Sequence, residues 1–169
     1  DVAIGSVYGT FPSAIWNGGR VIFGGLASRD DMMQCYKAFN DLGIPLRHTF
    51  TNSLITEKLC YDAYCNEIME HGHDGLNQVL VNAPDLEKYI SENYPKYPIL
   101  SSTTKRIRSM ENAQRELEKG YALVVLDYDL NRNPDIFMMD NPGRFEILIN
   151  AYCVDDCPRR VNHYKSMAQ

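Results

Sequence analysis

No apolar run in these 169 residues reaches the ~18 needed to cross a bilayer as a helix, and no basic-then-apolar segment opens the chain. The cytoplasm is therefore the expected compartment, with no membrane partner. A glycine-rich phosphate loop, an HExxH pair and a GxSxG elbow are also missing, and Trp16-Asn17-Gly18-Gly19 is not a dinucleotide fingerprint. Positive charge is in short supply: 17 Lys and Arg face 22 Asp and Glu, for a net charge of -5 and a pI near 5.3. That balance argues against nucleic acid as a partner, although the local group Lys105-Arg106-Ile107-Arg108 can meet phosphate. An initiator Met is absent and the chain starts within what reads as a strand, so residues are expected to be missing at one or both ends.

Five cysteines make an odd set, and Cys35, Cys60 and Cys65 fall in segments that read as helices, so a disulfide framework is not expected. What remains is ordinary for a soluble globular chain: 44% hydrophobic and 23% charged residues. Residues 1–169 are expected to form a single domain.

Short apolar runs alternate with helical stripes. Strands are expected at residues 2–8, 21–24, 46–50, 78–81, 99–101, 121–126 and 145–150, the last reading FEILIN. Helices are expected after the capping box of Ser28 and Asp31, over residues 56–72, from a cap at Asp85, from a cap at Ser109, and from Pro158 as a first helical residue. Near-continuous apolar strands between helices are the mark of a parallel sheet. About seven βα units, at roughly 25-residue spacing, point to a TIM-like (β/α) barrel. Its eighth unit is missing or lies outside the chain, so the barrel is partial. An open edge would be covered by another copy or a partner chain.

In such a fold the loops leaving the carboxyl ends of the strands form the ligand site. The polar residues there are His48 with Asn52, Asn82, Ser102 and Thr103 with Lys105, Asp127 with Asp129, and Asn150. His48, Lys105 and Asp127 are the catalytic candidates; Asn52, Asn82, Ser102, Thr103, Asp129 and Asn150 are the binding candidates. Each alone is as well explained as a turn or cap residue, so their recurrence at one end carries the argument. Cys153 and Cys157, four positions apart and followed by His163, admit three readings: ligands to zinc or an iron–sulfur cluster, a reactive thiol beside Arg159 and Arg160, or small packing residues.

Segment by segment, the chain resembles the peptidase U32 family, also described as collagenase-like. GRVIFGGL is similar to the family's "gaDaVYlGg" strand and LGIPLRHTFTN to its "rGkkvyvtlN" strand, which ends here at Asn52. GLNQVLVNAPDLEKYISENYPKYPILSSTT is similar to the block that ends in "StQ", YALVVLDYDLN to "rvvLsrEls", and FEILINAYCVDDCPRR to "eiEvfvhGalC...sGrC". The glutamate of "sREls" is replaced by Tyr128 or Asp129, and the His-Gly ahead of the cysteine by Asn150-Ala151. The resemblance implies a barrel enzyme, a peptidase-like hydrolase acting on a peptide or small molecule at the C-terminal mouth. Some members instead carry a four-cysteine [4Fe-4S] cluster and act in oxygen-independent hydroxylation, and of those four cysteines only Cys153 and Cys157 have counterparts here. A non-catalytic binding or assembly subunit is the remaining reading.

Overall fold

The computed structural model describes residues 3–19, 24–150 and 153–169. Six strands, β1 (Val7–Gly9), β2 (Leu46–Phe50), β3 (Gln78–Val81), β4 (Ile99–Ser101), β5 (Leu123–Val125) and β6 (Phe145–Glu146), form one sheet in sequential order. Every neighbouring pair is parallel. Helices α1 (Arg29–Asn40), α2 (Ala63–His71), α3 (Pro84–Asn93) and α4 (Met110–Glu118) fill the first four crossovers, 3-10 turns fill the fifth, and α5 (Arg160–Met167) follows β6. No helix among the described residues is long and apolar enough to cross a membrane.

Local chemistry sets most boundaries. Ser28 accepts from the Asp31 N–H while Asp31 returns the bond to the Ser28 N–H, the reciprocal cap that starts α1. Ser109 caps α4 by accepting from the Asn112 N–H. Asp85 is not a cap, since Pro84 occupies the first helical position of α3 and Ala83 stands ahead of it. The helix expected over 56–72 is broken at Asp62. Its side chain accepts from the Cys65 N–H and starts α2, leaving Glu57–Tyr61 as a separate 3-10 turn. Pro158 lies in a turn two residues before α5.

Six strands are present among the described residues where seven were expected. The expected strand at 21–24 falls mostly outside the described residues, and β1 pairs directly with β2. The first strand starts at Val7 rather than residue 2, and the sixth is confined to Leu123–Val125. The FEILIN strand is ordered as β only at Phe145 and Glu146, and the Leu148 carbonyl accepts from the Asn131 side chain instead of a neighbouring strand.

Alternation along the strands divides the sheet into two faces. Toward the helices point Leu46, His48, Phe50, Val79, Val81 and Val124, packed with Met32, Tyr36, Ile68, Met69, Leu86 and Ile90 in the main core. The opposite face carries a small cluster of Leu80, Leu100 and Val125 with Leu123 and Leu148. On that face Arg47 of β2 bonds Glu146 of β6 at 2.7 Å. Those strands are four steps apart, about 19 Å on a flat sheet at ~4.8 Å per strand, which two side chains cannot span head to head while standing perpendicular to it. The sheet is therefore curled into a half-barrel whose concave side is a lumen.

Candidate functional site

A cavity of about 690 Å3 occupies the lumen at the C-terminal ends of the strands. Leu80, Val125 and Leu148 give it apolar walls, Arg47 and Glu146 border it, and Ser102, Thr103, Tyr128, Asn150, Cys153 and Cys157 contribute polar groups. Helix α5 lies across the mouth with His163, Tyr164 and Met167 on the cavity. Its far end abuts the loop after β1: a Cβ built on Gly19, whose φ is +77°, would fall 1.6 Å from the Met167 carbonyl oxygen. Only glycine fits that approach.

The near end of α5 is fixed by Arg160, whose side chain is fully buried. Nη1 donates to Asp127 Oδ1 at 2.5 Å, Nη2 to Asp129 Oδ1 at 3.1 Å and to the Val154 carbonyl at 2.7 Å, and Nε to Cys153 Sγ at 3.1 Å. The guanidinium also sits 5.1 Å from the centre of the Tyr128 ring. Burial alone would lower the Arg160 pKa, but bonds to Asp129 and Cys153 and the charge of Asp127 outweigh it and hold the pKa above its ordinary value. Asp129 shows the reverse balance. Burial opposes its ionisation, yet the Asp156 N–H, Arg160 and Arg108 carry its pKa below the usual carboxylate range. Arg106 approaches Asp127 Oδ2 at 3.4 Å, and Arg108 reaches Asp129 Oδ2 at 3.0 Å. Asp127 Oδ1 further accepts from the Asp129 N–H at 3.0 Å, so both its oxygens have partners.

The residues singled out in the sequence separate into three groups. Ser102, Thr103, Asn150, Cys153, Cys157 and His163 share the cavity. Asn82, Asp127, Asp129 and Asn52 brace it. Asn82 donates to Thr104 Oγ1 at 2.6 Å; Asn52 donates to the Ile15 carbonyl at 2.7 Å and lies 3.5 Å from the Ala168 carbonyl. His48 and Lys105 lie elsewhere. His48 points to the helix side of β2, where its Nε2 shares a 2.8 Å hydrogen bond with the Tyr36 hydroxyl and its ring stacks on Phe50. Burial lowers its pKa to about 4, so the imidazole is neutral. Lys105 turns into the α3 and α4 layer, 3.2 Å from Glu87 and 3.5 Å from Glu116, against the Tyr121 hydroxyl.

Reasoning from strand ends overlooked Arg47, Glu146 and Met167, and it named Tyr128 without giving it a binding role. The available signal was parity: within LRHTF, Arg47 and Thr49 alternate with the apolar-side residues Leu46, His48 and Phe50.

A cluster of the [4Fe-4S] type needs four soft ligands. Among the described residues no three His, Cys, Asp or Glu side chains gather as for a metal ion, and the Cys153 sulfur is engaged by Arg160. The donor set does not fit such a cluster.

The fold and cavity define a class: a parallel β/α half-barrel with its pocket at the C-terminal mouth. No family model and no curated protein matches the chain. Its backbone is similar to that of the U32 peptidase Mk0906, with a TM-score of 0.64 and 14% sequence identity over 97% of this chain and 68% of that one. At that identity the likeness concerns the fold.

Proposed function

We propose that the chain is a peptidase-like hydrolase of the U32 type that takes a peptide or small molecule into the cavity at the mouth of its half-barrel. The observation that carries this reading is the cavity itself. It is an apolar-walled space of ligand size, at the strand ends where parallel α/β folds bind their ligands, edged by hydroxyl, thiol and imidazole groups. The U32 peptidase likeness in fold supports it. Cys157 and His163 are the candidates for nucleophile and base, since among the described residues neither side chain is tied up in a hydrogen bond. Asp127 is then a positioning group that acts through Arg160, and His48 and Lys105 serve the fold.

Incubating the chain with gelatin and with a mixed fluorogenic peptide library tests this. Cleavage is expected, reduced at least ~100-fold in Cys157→Ala and in His163→Ala without loss of thermal stability. Full turnover by both variants would remove these residues from the chemistry. Binding without turnover is the second reading, favoured by the mutual engagement of Asp127, Asp129 and Arg160. Peptide retained on the wild type with no cleavage would select it.

A further inference from the structure

The lumen holds a guanidinium with one side unused. Arg47 points inward from β2 and its side chain is 6% exposed. Its Nε donates to Gln78 Oε1 at 3.1 Å, and Nη1 alone meets both carboxylate oxygens of Glu146, at 2.9 and 2.7 Å. An arginine paired fork to fork with a carboxylate spends two nitrogens on it. Here one nitrogen does that work, and among the described residues Nη2 donates to no protein group. Arg47 borders the mouth cavity and also a second cleft of about 470 Å3 edged by Ser6, Gln78 and Leu123, so the spare N–H groups lie in the lumen. Nη2 is not among the fully buried unpartnered atoms, so it opens onto the lumen where a ligand can reach it, and a charged donor beside Leu80, Val125 and Leu148 favours an anionic acceptor with an apolar body.

We propose that Arg47 is a specificity-determining residue that binds the carboxylate of an apolar ligand, either a small carboxylic acid or the C-terminus of a peptide ending in an apolar residue. This rests on the cavity being the ligand site. Glu146 holds Arg47 in place and competes with the ligand for it, so the two partners affect binding in opposite directions. Removing Arg47 weakens acid binding, whereas neutralising Glu146 strengthens it.

Calorimetry on the intact chain, with hexanoate against hexanamide and Ala-Ala-Ala-Leu as free acid against its amide, tests the inference. The acids are expected to bind at least about tenfold tighter than their amides, the range of one charge-assisted hydrogen bond. Arg47→Met should erase the preference, Arg47→Lys should reduce it, and Glu146→Gln should enlarge it. Preference for both acids makes the carboxylate with any apolar body sufficient; preference in the peptide pair alone makes a peptide C-terminus the ligand. Equal binding of acid and amide, or a preference that survives Arg47→Met, overturns the carboxylate assignment and leaves the cavity standing. No binding by any of the four probes overturns both. If circular dichroism shows Arg47→Met unfolded, the opposite shifts of Arg47→Lys and Glu146→Gln decide the matter, and their absence overturns it.

Discussion

The helix side of the sheet and its lumen side are made by the same six strands from different kinds of residue. On the helix side Phe50, Val79, Val81 and Val124 are almost wholly buried and meet large apolar side chains from α1, α2 and α3. On the lumen side three buried residues, Leu80, Leu100 and Val125, form a thin patch beside an ion pair and an open cavity. Burial of apolar area is what holds such a domain together. Stability therefore rests mainly on the helix side, which frees the lumen to keep polar groups half-solvated and available. Arg160 is the exception, a lumen-end residue on which the fold depends because it neutralises two carboxylates and anchors α5.

That exception supplies the largest expected effect. Arg160→Met removes the fully buried cation of Asp127 and Asp129, leaving them the longer or more exposed contacts of Arg106 and Arg108, and should cost about 3–5 kcal/mol in urea denaturation. A loss under about 1 kcal/mol would mean that α5 is held by something else. Next comes the helix side, where Leu86→Ala removes a fully buried side chain and should cost about 2–5 kcal/mol.

The third test uses pH. His48 has its pKa lowered from 6.5 to about 4 by burial. Below pH 6.5 the unfolded chain takes up a proton that the folded chain refuses until about pH 4, so stability falls as pH drops through that window. The shift corresponds to about 3 kcal/mol at its acid end. His48→Phe removes this titration and should flatten the unfolding free energy between pH 6.5 and 4 by that amount, while Tyr36 keeps its bond to the Ile68 carbonyl. An unchanged pH profile would show that His48 is protonated inside the fold. The smallest effects sharpen the contrast between the faces. Ser109→Ala, which deletes the α4 cap, should cost about 1 kcal/mol. Leu148→Ala, on a half-buried lumen residue, should cost no more than about 1 kcal/mol. A Leu148 cost equal to that of Leu86 would end the distinction.

Much of the fold was legible because its signals are local. The runs at 46–50, 78–81 and 99–101 match β2, β3 and β4 at both ends, and the Ser28 and Ser109 caps start the helices where they stand. The mouth was legible in part: Ser102, Thr103, Asn150, Cys153, Cys157 and His163 come together, as residues that follow parallel strands on the same edge of a sheet should. His48 was misdirected by position alone. It lies inside β2, where direction is set by pairing register, and a step of one residue turns a side chain from lumen to helices.

By itself, then, the sequence determined the elements, their alternation and the parallel sheet, since periodicity, caps and turn residues act over a few positions. Only the tertiary structure decided the site. The curl that brings Arg47 to Glu146 across 99 residues, the seat of Met167 against Gly19, and the gathering of Asp127, Asp129 and Cys153 around Arg160 depend on summed strand twist and on packing between distant segments. No short stretch of chain carries that information, because each of these contacts exists only once both partners have been placed by everything between them.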